Sequence, residues 1–277
     1  MKNLVTRSLS GIVYVALIVG AILCGNTWFS ALTVIFVVLG IIEFQKITFR
    51  GSGTANTVAR VVDVLAGASI CAMAAMSEYS FDGMLGMVCL AVLYPVIRFI
   101  IALYDKSEAA FRDTAMSILA VVYIGLSLGL FNYAAIVVSR YGMSLALTMF
   151  VMIWLNDTGA FCVGSLLGRH KLFERLSPKK SWEGFFGGLA FCLIAGFLCS
   201  AWLHLPVFNT VEWMLYGLVV CVFATVGDLF ESLIKRTHGI KDSGKLIPGH
   251  GGILDRIDSL LFVAPVTLIF LWMAYTF

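Results

Sequence analysis

Runs of apolar residues long enough to cross a bilayer constrain this chain more than any motif in it. A hydrocarbon core about 30 Å thick takes roughly 20 apolar residues as helix. Runs of that kind recur near 10–25, 27–44, 60–77, 84–104, 115–138, 143–164, 185–203, 212–234 and 257–276. In lipid the backbone must satisfy its own N–H and C=O groups, which leaves helices or closed barrels, and the run lengths predict helices. The expected fold is therefore all-α, a polytopic integral membrane protein with about nine transmembrane helices. Composition agrees: 60% of the 277 residues are hydrophobic and 13% charged, against about 45–50% and 25% in soluble domains. A net charge of +3 is too small to argue for a nucleic-acid partner.

The first run follows Lys2 and Arg7 and so imitates a secretory leader. No small-residue cleavage site follows and a second run starts almost at once, so it reads as a retained first span. The seven cysteines are odd in number, sit in apolar runs and form no C-x-x-C pair. They read as small packing residues rather than a disulfide framework or a zinc site.

Basic residues cluster in the loops that face the cytoplasm in bacterial membrane proteins. With the N-terminus cytoplasmic, the inner segments hold seventeen of the nineteen Lys and Arg residues. Arg140 falls outside, and Arg98 falls within the fourth span, near enough its inner end to snorkel. Residues 1–140 carry few polar residues and are expected to be membrane helices with a scaffold role. Residues 141–277 are expected to form a second membrane domain in which the polar residues concentrate in two cytoplasmic loops. That asymmetry disfavours a secondary transporter, which commonly shows repeated halves and broken helices at the midplane.

Ionisable residues inside spans are costly and are functional candidates by default. Glu43 ends the second span beside Lys46, and Asp63 opens the third near Arg60, so each is expected to find a local structural partner. Asp157 is different: "NDTG" at 156–159 puts adjoining polar and helix-weakening residues in mid-span, which predicts a polar cavity. Asp228, Glu231, Ser232 and Lys235 share one helical face that descends toward the cytoplasm. Asp255 and Asp258 open the last span, again one turn apart. With Asp228, Asp255 looks like half of a magnesium site, since magnesium takes a few carboxylates and leaves positions for water and phosphate.

The loop between these acids holds Lys235, Arg236, Lys241, Lys245, His250 and Arg256, with glycines at 239, 244, 249, 251 and 252. Gly239 to Lys245 fits G-x-x-x-x-G-K, but Leu246 stands where a P-loop needs Ser or Thr for magnesium. The ingredients for holding phosphate are present without the P-loop fold. In the other loop, Ser177-Pro178 predicts a helix start, with Lys179, Lys180, Ser181 and Glu183 in its first turns.

Residues 232–258, "SLIKRTHGIKDSGKLIPGHGGILDRID", resemble the signature of the phosphatidate cytidylyltransferase (CDP-diacylglycerol synthase) family. That pattern is S-x-x-K-R, a spacer, K-D, a second spacer, then P-x-H-G-G-x-x-D-R-x-D. This chain meets it at Ser232, Lys235, Arg236, Lys241, Asp242, Pro248, His250, Gly251, Gly252, Asp255, Arg256 and Asp258. "NDTGAF" and "SPKKSWEG" upstream also look like family segments.

The resemblance implies transfer of the CMP moiety of CTP to phosphatidic acid, giving CDP-diacylglycerol and pyrophosphate. It implies a Mg2+ requirement with metal between Asp228 and Asp255, a second cation such as K+ nearby, and a homodimer. It also implies a multi-pass protein of the cell inner (plasma) membrane, with the active site facing the cytoplasm. Asp228, Ser232, Lys235, Arg236, Lys241, Asp242, His250, Asp255, Arg256 and Asp258 are then the catalytic candidates. Asn156, Asp157, Lys179, Lys180, Ser181, Glu183, Gly251 and Gly252 are the substrate-binding candidates. A cytidylyltransferase for another lipid phosphate, or a polyprenol kinase, is the nearest rival reading.

Overall fold

The computed structural model describes residues 2–76, 81–137, 142–201, 207–246 and 251–276. Among these, eight helices are long and apolar enough to cross a membrane, and a shorter apolar stretch, Leu9–Cys24, precedes them. The helices are α1 (Lys2–Cys24), α2 (Asn26–Thr48), α3 (Thr54–Met76), α4 (Phe81–Tyr104), α5 (Ala110–Ala120) and α6 (Ser127–Val137). They continue with α7 (Gly142–Leu167), α8 (Trp182–Ala201), α9 (Thr210–Thr237) and α10 (Leu254–Thr276). A π-helical turn, Val121–Leu126, joins α5 and α6 into one span. The protein is thus an all-α polytopic membrane protein, with a short antiparallel ribbon between α7 and α8.

The chain divides into two compact units. The first comprises residues 1–137 together with Asp242–Asp255; the second comprises residues 138–241 and 256–277.

In the first unit a buried polar network ties four helices. Asp63 of α3 accepts hydrogen bonds from Gln45 Nε2 of α2 (2.9 Å), Tyr94 Oη of α4 (2.8 Å) and Ser117 Oγ of α5 (2.7 Å). Arg98 Nε of α4 lies 3.1 Å from Asp63 Oδ1, at an angle that makes the contact an ion pair rather than a hydrogen bond. Arg98 Nη2 donates to Ser117 Oγ at 2.7 Å. Arg98 is 2% exposed, so it does not snorkel as the sequence suggested. Tyr94 and Arg98 are four residues apart on one face of α4, and that face meets Asp63. Nor does Arg60 serve Asp63: its Nε donates to Asn56, and its guanidinium lies over the Phe49 ring.

A second carboxylate, Asp113, organises the α2–α3 connection by accepting from the backbone N–H groups of Arg50 and Gly51 and from Asn56 Nδ2. Gly67 of α3 and Gly125 of the π-turn allow their backbones to touch; a Cβ on Gly125 would stand 2.8 Å from the Gly67 Cα.

In the second unit glycines again set the helix separations. Gly159 and Gly164 of α7 face Gly187 and Gly184 of α8, where an added Cβ would meet neighbouring backbone at 2.8 and 3.3 Å. Gly217 of α9 abuts the Cys192 carbonyl of α8, and Gly227 abuts the Asp258 carbonyl of α10. Phe208, Trp213, Tyr216 and Phe270 interlock at the far end of the bundle. Asn209 and Glu212 start α9 with a reciprocal capping box.

The α7–α8 connection departs from expectation. Ser177–Ser181 is strand β2, paired with β1 (Lys171–Phe173) in the register Lys171↔Ser181 and Phe173↔Ser177. The residue before a proline is disfavoured in helix, and Ser177 precedes Pro178. The helix starts only at Trp182, where Ser181 Oγ accepts the Gly184 N–H at 3.1 Å. The cap is therefore Ser181, four residues later than the sequence suggested.

Replacing Arg98 with Leu strands Asp63 as an unpaired buried charge, a loss expected to cost about 3–5 kcal/mol. Unfolding in detergent should show that loss, and Asp63→Asn/Arg98→Leu should regain most of it. A single variant as stable as the parent would contradict the ion pair.

Candidate functional site

The second unit contains a cavity of about 510 Å³ whose walls come from four elements. Asn156, Asp157, Ala160 and Phe161 of α7 line one side, and Thr225 and Asp228 of α9 another. The ribbon contributes Lys171, Leu172, Pro178, Lys179, Lys180 and Ser181, and α8 contributes Gly184 and Phe185. Strand pairing explains how a sequence-distant lysine enters: Lys171 stands opposite Ser181, and its Nζ donates to the Pro178 carbonyl at 2.7 Å.

At the cavity wall, Lys180 Nζ and Asp228 Oδ2 form an ion pair at 2.5 Å. Both side chains keep partial access, 25% and 35% exposed respectively. The pair neutralises the acid of α9 while keeping an ammonium and a carboxylate together in the cavity. Lys179 is exposed beside it. Asn156 is buried at the α7–α8 crossing, where Gly188 makes room: a Cβ there would stand 2.5 Å from Asn156 Oδ1.

Below the ion pair, acidic oxygens gather. One carboxylate oxygen from each of Asp228, Glu231 and Asp258 lies within 4.8 Å of the others. The close approach of α9 to α10 at Gly227 accounts for it, and Ser259 Oγ fastens the same crossing by donating to the Ala224 carbonyl at 3.1 Å. Ser232 Oγ reaches Asp228 Oδ1 at 3.4 Å, and Lys235 forms an ion pair with Glu231 one turn away. Three hard oxygen donors at this spacing suit a small divalent cation such as magnesium.

Other candidates take different positions. Arg236 turns back on its own helix end and the ribbon, donating to the Ile240 carbonyl at 3.1 Å and reaching that of Leu176 at 3.5 Å. Glu183 accepts from the Arg169 and His170 N–H groups and from His170 Nδ1 (2.6 Å), which braces the entry to the ribbon. Lys241 and Asp242 are exposed, and Arg256 sits in the first turn of α10.

In the first unit, Asp255 Oδ2 accepts from Ser243 N, Ser243 Oγ and Gly252 N, each at 2.9 Å. Gly251 takes a positive φ of 88° there, and a Cβ on it would collide with the Asp255 carboxylate. His250 and Pro248 lie outside the described residues. Sequence reasoning did not single out Lys171, Thr225, Phe161 or Phe185. In sequence Lys171 is marked only by its place in a basic loop, since Ser177-Pro178 predicts a helix start where the partner strand lies.

The pattern of the Cytidylyltransferase family matches residues 5–274. The chain is also similar to proteins named phosphatidate cytidylyltransferase in three staphylococci. It is 42% identical to that of Staphylococcus aureus (strain COL) over 169 residues, 60% of this chain and 62% of that protein. It is 40% identical to that of Staphylococcus haemolyticus over the same shares. It is 36% identical over 189 residues to that of Staphylococcus epidermidis, 68% of each chain. The alignments to the first two thus span about three fifths of those relatives' length, 62%.

Because Gly227 lets α9 and α10 touch, Gly227→Ala would place a Cβ 2.6 Å from the Asp258 carbonyl. Overpacking of this kind is expected to destabilise by about 1–3 kcal/mol. Gly20→Ala in α1, where nothing stands within 4 Å, should be neutral. Thermal unfolding of the two variants in detergent checks the difference, and equal midpoints would contradict the crossing.

Proposed function

Since the chain belongs to the Cytidylyltransferase family, we propose that it transfers the cytidylyl group of CTP to phosphatidic acid. The products are CDP-diacylglycerol and pyrophosphate. The observation that carries this reading is the Lys180–Asp228 pair on the wall of a cavity lined by further lysines and mid-span polar residues. Such a cavity pairs cationic groups for phosphates with an acid for a metal, on elements that continue into the bilayer. The names of the staphylococcal relatives support the choice of lipid.

In the reaction, an oxygen of the lipid phosphate attacks the α-phosphorus of CTP. The bond from that phosphorus to the bridging oxygen breaks, and pyrophosphate leaves with the bond's electrons. The attacking phosphate is already an anion, so no strong general base is required. The difficulty is to bring two polyanions together and to stabilise the charge that grows on the leaving group.

Lys179, Lys180 and Lys171 supply positive charge for the two phosphates at the cavity. Ser181 holds the start of α8 and so the position of Lys180. Asn156 and Asp157 line the same space from α7. Asp228, with Glu231 and Asp258 beside it, would hold magnesium, and the family resemblance alone assigns Asp255, three residues before Asp258, to cation binding. Bound magnesium supplies charge neutralisation for the nucleotide phosphates. Lys180, paired with Asp228 at the cavity wall, is placed to take a phosphate when Asp228 would hold the cation. Lys235, Arg236, Lys241, Arg256, His250 and the glycine backbone at 251 and 252 are assigned to the triphosphate. A second cation such as K+ and a homodimeric state rest on the family resemblance alone. The distribution of Lys and Arg supports a plasma-membrane protein with its N-terminus and active site on the cytoplasmic side.

Purified protein with labelled CTP, magnesium and phosphatidic acid should move label into lipid, and omission of either magnesium or lipid should stop it. Asp228→Asn should lower the rate at least ~10²-fold while the protein still inserts. Lys106→Ala, an exposed residue of the first unit, should change little. Absence of transfer by folded protein that still binds CTP would refute phosphatidate as acceptor and point to another lipid phosphate.

A further inference from the structure

We infer that Glu43 of α2 is a positioning residue for the proposed reaction, holding both ends of the glycine-rich segment that carries Asp255. The inference rests on the cytidylyltransfer proposed above for its functional consequence, and on geometry within the first unit for the rest.

Glu43 is 8% exposed and two hundred residues from the segment it contacts, yet its Oε2 lies 3.1 Å from Ser243 Oγ and accepts from the Leu254 N–H at 3.0 Å. Ser243 opens the segment and Leu254 begins α10, so one carboxylate fastens both ends. The Leu254 amide belongs to the first turn of α10, whose N–H groups have no partner within the helix. An acid placed there also meets the positive end of the helix dipole. One turn earlier on α2, Gly40 lies beside the Leu254 side chain: a Cβ there would meet Leu254 Cδ2 at an ordinary contact distance, 3.5 Å, and Ile124 Cγ2 at 3.2 Å.

Two glycines of the segment, Gly244 and Gly252, lie against the same carboxylate. A Cβ on Gly244 would overlap Glu43 Oε1, and one on Gly252 would overlap both oxygens. Glycine at both positions thus lets backbone close around an acid arriving from α2. This corrects the expectation that Glu43 pairs with Lys46, which is exposed while Glu43 is buried.

The contact extends to Asp255. Ser243 Oγ lies 3.1 Å from Glu43 Oε2 and 2.9 Å from Asp255 Oδ2, and Ser243 N and Gly252 N donate to the same Asp255 oxygen. The Ser243 hydroxyl has one proton for the two carboxylate oxygens beside it, and its contact with both couples the position of one to the other. A carboxylate near the end of an apolar helix needs these donors as much as the segment needs the acid. Helices expected only to scaffold the protein thus set where a catalytic candidate stands.

The test compares full-length wild type, Glu43→Ala, Glu43→Gln, Gly244→Ala and the Glu43→Ala/Gly244→Ala double variant. Hydrogen exchange read by mass spectrometry follows peptides covering 241–256, with an α9 peptide as internal reference. Label transfer from CTP to phosphatidic acid gives kcat and KM. Glu43→Ala should speed exchange at the segment about tenfold or more without changing α9. It should also lower kcat about 10–100-fold, as loss of a group that orients a ligand does. Glu43→Gln should stay within a few-fold, because its amide accepts from Leu254 and donates to Ser243. Gly244→Ala should slow the wild type but add nothing to Glu43→Ala. Unchanged exchange in Glu43→Ala, Gln as damaging as Ala, or additive losses in the double variant would each overturn the assignment. If wild type moves no label to phosphatidate, the functional reading fails, while the exchange data still decide whether Glu43 holds the segment.

Discussion

Charge placed in or beside hydrocarbon must find a partner within the protein, and the acids of this chain are arranged by that requirement. Asp63 draws Arg98, Tyr94, Gln45 and Ser117 around it and so fixes α2, α3, α4 and α5 relative to one another. Glu43 reaches a segment two hundred residues away, and Asp113 gathers the backbone of the α2–α3 connection. In the second unit Asp228 takes Lys180 and Glu231 takes Lys235. The first group of acids is enclosed and satisfied by hydrogen bonds, which suits a brace. In the second group Lys180 and Asp228 keep partial access at a cavity wall, which suits a site.

Glycine makes these meetings possible. The α7–α8 and α9–α10 crossings bring backbone to backbone at Gly159, Gly164, Gly184, Gly187 and Gly227. Without a Cβ at Gly227, Asp258 approaches Asp228 and Glu231 closely enough for their oxygens to share one small volume. In lipid, where tails are as apolar as Leu, close approach of this kind is a main source of helix association. The same small residues therefore hold the bundle and bring the acids together.

Much of the fold was legible in the chain. Apolar run length implies membrane-spanning helices, and eight long helices with one shorter apolar stretch answer the nine runs. The polar tetrad 156–159 marked a cavity, and Asn156 and Asp157 line one. The positions of the individual partners were not legible. Arg98 sits near a helix end in sequence, and nothing in its neighbours reveals that Asp63 of another helix faces it. Ser177-Pro178 satisfies the rule for a helix start, but its pairing with Lys171–Phe173 competes and Ser181 offers the better cap.

The chain by itself determined its solvent, its helical class, its family and the short stretches that hold acids and bases, because each depends on residues close together in sequence. Length against bilayer thickness, helical spacing and motif all operate locally. Only the tertiary structure decided which acid meets which cation. It also decided that Glu231 and Asp258 join Asp228, and that α2 carries the anchor for the glycine-rich segment. Those choices follow from helix crossings and from the enclosure of charge away from water, and the energy of each depends on groups far apart in the chain.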